Sequence, residues 1–184
     1  MGKVIVYISL TLDGVMQAPG RPDEDTRDGF EYGGWAAPYF DPIMFNSRPE
    51  GAKTPDMLFG RRTYQDFFAV WANRTDNPFS EVFDKAQKYV ASTTLNEPLP
   101  WVNSTLLKGD VARAIAKLKE QSDNDFMVFG SGVLVQTLMQ HNLVDEYILL
   151  IHPLVLGTGH RLFHEGSPFT KLQLTDTKIA STGV

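Results

Sequence analysis

The chain has 184 residues, 42% hydrophobic and 21% charged, values of a globular domain whose core needs no metal or disulfide staple. It has no cysteine, which removes disulfides, thiolate nucleophiles, iron–sulfur clusters and thiolate zinc sites; its formal net charge of -5 comes with no basic run that would mark a nucleic-acid or anionic-membrane partner. The opening MGKVIVYISL is too short and too alternating for a signal peptide, and no apolar run approaches the roughly 18 to 20 residues of a membrane span, so the expectation is a cytoplasmic protein without a membrane partner.

Lys3 to Leu12 carries β-branched and aromatic residues up to Asp13-Gly14, a pair that tolerates positive φ, and reads as a buried central strand. From Val15 to Pro55 glycine and proline break every periodic run, leaving room for one short helix near Asp41 to Ser47. A segment so long without regular structure suits a lid over a ligand, or disorder. Asp56 to Phe59 reads as a short strand turned by Gly60 into a helix over Arg61 to Val70, with Tyr64, Phe67 and Phe68 on one side. Asn77 and Pro78 open a second helix ending at Lys85, and Lys88 to Ala91 is a strand ending in Ser92-Thr93-Thr94.

Trp101 to Leu107 fits an edge strand, and Asp110 caps an amphipathic helix running to Gln121. Phe126 to Phe129 is an apolar strand, Gly130-Ser131-Gly132 turns it, and Val133 to His141 resumes helical spacing. Asp145 to Val155 is a strand interrupted by Pro153, and Lys171 to Ile179 alternates as a half-exposed strand does. Alternating strands and helices without a repeat or linker predict one α/β domain over residues 1–184, a three-layer αβα arrangement around a mixed, mostly parallel sheet.

Two strand–glycine–helix passages stand out, because a helix start presents unpaired N–H groups and the positive end of the helix dipole to an anion. Gly130-Ser131-Gly132 lacks the spacing of the common dinucleotide fingerprint, so tight strand-to-helix packing explains it equally well. Arg61, Arg62 and Thr63 put two guanidinium groups and a hydroxyl in the first turn of the other helix, where positive charge opposes the dipole unless an anion arrives. The alternative is a surface pair bonded to nearby carboxylates. Paired arginines favour a phosphorylated nicotinamide cofactor over its unphosphorylated form. Ser92 and Thr93 suit a ribose, although hydroxyls at strand ends more often close turns. Among four histidines only His160 and His164 have helical spacing, too few ligands for a metal site. There is no nucleophile elbow and no Walker-type lysine loop.

Read together, LFGRRTYQDF, KYVASTT and the long passage from Val128 to Phe163 resemble the dihydrofolate reductase-like superfamily. SLTLDGVM and VLGTGHRLF are similar to the C-terminal reductase domain of riboflavin-biosynthesis deaminase-reductases, and the resemblance spans nearly the whole chain. It implies NADPH as cofactor, the nicotinamide supplying the hydride and the protein a preformed cleft. It further implies that Arg61 meets the 2′-phosphate, Arg62 and Thr63 the pyrophosphate, and Ser92 and Thr93 the adenosine. Gly60 and the stretch Phe129, Gly130, Ser131, Gly132, Val133 and Leu134 would line the pyrophosphate, with Leu12 to Met16 near the nicotinamide. A homodimer is common in such families.

The expected activity is hydride transfer to a small heteroaromatic or carbonyl compound, pterin-, lumazine- or pyrimidine-like. The expected substrate contacts are Asp13, Met16, Trp35, Tyr39 and Phe40, with Asp41 as proton carrier or polar anchor. Simpler roles compete: loop-core packing for the aromatics, a helix N-cap for Asp41 and a turn for Asp13. The second functional reading is an NADPH-binding or sensory module without turnover, and the third is a scaffold in which both glycine turns are structural. The chain stops at Val184, where members of the resembled family continue into a final apolar strand.

Overall fold

A computed structural model of the chain describes residues 1–45, 53–72, 74 and 76–184. Six strands, β1 (Val4–Thr11), β2 (Asp56–Gly60), β3 (Lys88–Ala91), β4 (Ser104–Leu107), β5 (Phe126–Phe129) and β6 (Glu146–His152), form one sheet in the order β4-β3-β2-β5-β1-β6. The pairs β1–β5, β2–β5, β2–β3 and β3–β4 are parallel. Bonds from the Asp145 N–H to the Val4 carbonyl and from the Leu12 N–H to the Leu154 carbonyl mark the β1–β6 pair as parallel too. The central strands are continuous apolar runs, Met57-Leu58-Phe59 and Phe126-Met127-Val128, buried as strands covered on both faces must be.

Four α-helices link these strands: α1 (Arg61–Trp71), α2 (Pro78–Lys85), α3 (Val111–Gln121) and α4 (Gly132–Gln140). The passage from β2 through α1 and α2 to β3 moves one way along the sheet, whereas β4 through α3 to β5 and β5 through α4 to β6 move the other way. Right-handed crossovers in opposite directions place their helices on opposite faces, which gives the three layers. Two of the helices start as the sequence indicates: the Asn77 side chain accepts from the Phe79 N–H at 2.9 Å, and Asp110 from the Arg113 N–H at 3.0 Å.

Within the expected single domain the chain divides into two compact units, Met1–Tyr7 with Lys53–Ile148, and Ile8–Ala52 with Leu149–Val184. The first is built around Met57, Phe59, Tyr64, Val90 and Trp101, with Phe67, Phe83 and Phe129 packed on them. The Tyr64 hydroxyl accepts from the Trp101 N–H at 3.0 Å, so the largest rings of this core are also its polar tie. The second unit packs Val15, Ala18, Phe30 and Trp35 together. There Gly159, at φ +108, passes so close to Phe30 and Val15 that an added Cβ would lie 2.7 and 2.8 Å from their side chains.

Two expectations need correction. The sheet contains no antiparallel strand among the described residues, so it is parallel rather than mixed. Lys171 to Ile179 is exposed and joins no strand among the described residues, and an alternating segment becomes a strand only where a ladder partner stands beside it. The short helix expected near Asp41 is present as a 3-10 helix over Pro42–Phe45, and the part of the proposed lid from 46 to 52 lies outside the described residues.

Candidate functional site

The first unit places the two glycine turns side by side. Adjacent strands β2 and β5 run in register, with Leu58 opposite Val128, so Gly60 and Gly130 leave the sheet at the same level of its carboxyl edge. This is where the chain direction reverses, since the helix after β2 leads to β3 on one side and the helix after β5 leads to β6 on the other. Helices that diverge from such a point leave a crevice between their N-termini, the usual ligand position in open parallel sheets.

The two turns are bonded to each other. The Gly60 N–H donates to Ser131 Oγ at 2.9 Å, and the Ser131 N–H donates to Thr63 Oγ1 at 3.1 Å. Gly130 has φ +52 and Ser131 φ 54 and ψ 44, two left-handed residues in succession. The serine pays a steric cost of about 1–2 kcal/mol there, and the two cross-bonds hold it in place. An added Cβ at Gly130 would meet Thr63 Cγ2 at 3.4 Å, so the absence of a side chain permits the close approach. Expected as an anion donor, the Gly60 amide is instead occupied by Ser131.

No side chain caps α1 or α4, in contrast to α2 and α3, and neither first turn holds an acidic residue. Among the described residues Arg61 donates to the neutral Gln65, at 3.3 Å, and neither Arg61 nor Arg62 forms an ion pair. Among the described residues the carboxylate-bonded surface pair is not found. Two open helix N-termini and two guanidinium groups make a concentration of donors and positive potential suited to a diphosphate. Val133 is exposed in the first turn of α4, Leu134 is buried beneath it, and Phe129 is half-buried against Phe59 and Phe67.

Ser92 and Thr93 end β3, next to β2 on the same edge. Ser92 Oγ accepts from the Thr94 and Leu95 N–H groups at 3.1 and 3.0 Å, so this buried hydroxyl closes a turn, while Thr93 is exposed.

The expected substrate residues all lie in the second unit, and most are committed to its own architecture. Asp13 accepts from the Thr11 hydroxyl at 2.6 Å and from the Leu156 and Gly157 N–H groups at 3.2 and 2.8 Å, and faces Arg161. Those donors, the Thr11 hydroxyl foremost, lower its pKa to about 2. In this structure it clamps a turn. Trp35 is buried, its indole N–H bonded to the Gln17 carbonyl at 2.7 Å, which makes it core. Tyr39 packs edge-on against His152, with ring centroids 5.6 Å apart, as Trp35 does at 5.1 Å. Met16 is half-buried and Phe40 exposed.

Asp41 is not placed as a proton carrier. It accepts from the Ile43 N–H at 3.0 Å, capping the 3-10 turn, and from the Ser181 hydroxyl and N–H, the latter at 2.9 Å. The Ser181 hydroxyl above all holds its carboxyl below the ordinary range, so near neutrality it has no proton to give.

Three buried polar residues carry weight that periodicity alone did not disclose. Lys88 is fully buried; its Nζ donates to the Phe83 and Ala86 carbonyls at 2.6 and 2.8 Å, closing the end of α2, and lies 4.7 Å from the Trp101 ring centre. Burial lowers its pKa to about 8. Gln17 donates to the Asp25 and Arg27 carbonyls and accepts from the His160 N–H. His152 is buried, with Nδ1 3.0 Å from the Leu150 carbonyl, and desolvation pushes its pKa down.

Comparison with known proteins bears on the whole of this architecture. The family described as RibD C-terminal domain matches residues 2–184. The uncharacterized protein YyaP of Bacillus subtilis is 30% identical over 136 residues, 70% of this chain and 69% of its own length. Among solved structures, a putative riboflavin biosynthesis protein from Shewanella superposes with a TM-score of 0.68 at 23% identity, over 98% of this chain and 94% of its own. Dihydrofolate reductase from Enterococcus faecalis, solved in complex with NADP(H), superposes with a TM-score of 0.58 at 12% identity, over 100% and 90% of the two chains. The fold is thus dihydrofolate reductase-like, and the chain belongs to the RibD C-terminal domain family.

Proposed function

We propose that this protein is an NADPH-dependent reductase that passes a hydride to a small heteroaromatic or carbonyl compound, pterin-, lumazine- or pyrimidine-like. The observation that carries the reading is the contrast between helices: α2 and α3 are capped by their own side chains, whereas α1 and α4, which meet at the reversal point of the sheet, are not. Membership in a riboflavin reductase-type family supports it, as does likeness to a fold that elsewhere carries NADP(H).

In this reading Arg61 holds the 2′-phosphate and Arg62 and Thr63 the pyrophosphate from one side, with Gly130 to Leu134 and Phe129 opposite. Thr93 reaches the ribose more readily than Ser92, whose oxygen already accepts two backbone N–H groups. When bound, the cofactor supplies the hydride, and the chain's task is to bind, orient and exclude water. Direct titration tests the cofactor: NADPH binds more tightly than NADH, and Arg61→Ala weakens NADPH about tenfold or more while leaving NADH unchanged. Equal affinity of the native protein for the two nucleotides would sink the phosphate assignment.

The second reading, an NADPH-binding module without turnover, is favoured by one observation: both acids expected near the substrate, Asp13 and Asp41, are held ionised by hydrogen bonds. NADPH oxidation followed by absorbance across pterins, lumazines, flavins and small carbonyls separates the two. Binding with no oxidation throughout selects the module.

A further inference from the structure

Two aspartates of the second unit stand directly before a glycine, in Asp13-Gly14 and Asp28-Gly29. Such a pair can close on itself, because the glycine nitrogen, unshielded by a side chain, can attack the aspartate Cγ and form a five-membered imide. The structure holds the two pairs in opposite ways. Asp13 is 19% exposed; its Oδ1 accepts from the Thr11 hydroxyl and the Leu156 N–H, and its Oδ2 accepts from the Gly157 N–H and faces Arg161. The Gly14 N–H donates to the Thr11 carbonyl at 2.9 Å. Both reacting groups are thus tied to other partners, and the ring closes only if the clamp breaks.

Asp28 is the reverse case. Its side chain is 80% exposed, and its partner is His160, whose Nε2 lies 3.0 Å from Oδ2. Its backbone, at φ 57 and ψ 25, is in the left-handed region that a side chain disfavours, and Gly29 follows at φ +73 with nothing within 4 Å of the place a Cβ would take. Closing the ring needs rotation about the Cα–Cβ and Cα–C bonds of Asp28, which an exposed three-residue turn allows. A cavity of about 190 Å³, lined by Gln17, Arg27, Phe30 and Thr158 together with Asp28 and His160, gives water access to the pair. The other charges beside it, Arg27 and Asp25, are bonded to each other. As an imidazolium, His160 has a proton to give to Oδ2.

We propose that Asp28 is a self-modifying site, at which the Gly29 nitrogen closes on the Asp28 side chain with His160 as proton donor and the imide reopens to an isoaspartyl link. The N–Cγ bond forms and the Cγ–Oδ2 bond breaks; that oxygen leaves as water, with one proton from the Gly29 amide and one from His160. Water then adds to the Asp28 main-chain carbonyl carbon and the original peptide C–N bond breaks. The new α-carboxyl group returns a proton to the imidazole, so nothing is consumed and no oxidant takes part. The chain afterwards runs through Cγ and is one methylene longer. That length enters between two fixed points, the Arg27 carbonyl, which accepts from Gln17 Nε2 at 3.1 Å, and Phe30, buried against Gly159. The inference stands independently of the cofactor reading.

The test is to age the full chain at neutral pH and body temperature for weeks. The aged chain is then unfolded, labelled by an isoaspartyl methyltransferase with S-adenosylmethionine, and its peptides are located by mass spectrometry. Label is expected to accumulate at Asp28 and not at Asp13, with the imide visible at Asp28 as the loss of one water. Asp28→Glu, whose longer side chain would have to close a six-membered ring, is expected to remove the label. His160→Gln is expected to slow its appearance about tenfold or more. Asp13 serves as the control for folding, since a variant that unfolds exposes both pairs and labels both. No label at Asp28, or label at Asp13 to the same extent in the native chain, overturns the proposal. A native rate in His160→Gln overturns the part given to the histidine.

Discussion

Lys88, His152 and Asp13 show how single polar groups hold this molecule, and each makes a prediction. The Lys88 ammonium supplies the donors that the C-terminus of α2 lacks, so Lys88→Met leaves the Phe83 and Ala86 carbonyls buried without a partner. The expected loss is about 1–3 kcal/mol, read as a lower denaturant midpoint. His152 has its folded pKa below the unfolded value of about 6.5. The unfolded chain therefore binds the extra proton first, and stability falls as pH drops from 6.5 toward the folded pKa. His152→Phe should flatten that part of the pH–stability curve; an unaltered slope would refute the assignment. Asp13 works at lower pH: its contribution is complete above its unfolded pKa of 3.8 and is lost as pH falls toward about 2. Of these roles only the turn at Asp13 was legible in the sequence: Lys88 and His152 bond carbonyls two to five residues back, but the rings packed against them, Trp101 on the one and Trp35 and Tyr39 on the other, come from segments distant in the chain.

At the scale of elements, helix starts divide by use. Asp110 is a local cap, and Asp110→Ala should cost about 1 kcal/mol without touching ligand affinity. Gly130→Ala puts a side chain at φ +52 and against Thr63 in the cross-bonded turn. It is expected to cost about 1–2 kcal/mol in stability and to weaken NADPH binding together. Comparing the two variants by titration separates a structural turn from a binding one. The helices and their caps were readable because period and capping are properties of a few adjacent residues. Thr63 and Ser131 were readable as candidates, but not as partners of one another, since 68 residues separate them and only the β2–β5 pairing brings them together.

For the whole molecule, a ligand that binds only the folded chain must raise its stability. NADPH at about a hundred times its Kd is expected to add about 2.7 kcal/mol, seen as an upward shift in thermal unfolding that Arg61→Ala reduces. The sequence by itself determined the α/β class, every strand of the sheet and the two glycine-led turns, because apolar periodicity and turn chemistry are local. Tertiary structure alone decided the strand order that sets those turns edge to edge. It also bound Trp35, Asp13 and Asp41 into the frame of the second unit, and among the described residues gave 168 to 179 no place in the sheet. The physical reason is the same in each case: whether a carboxylate is a cap or an acid, and whether an alternating segment is a strand, depends on what stands across from it.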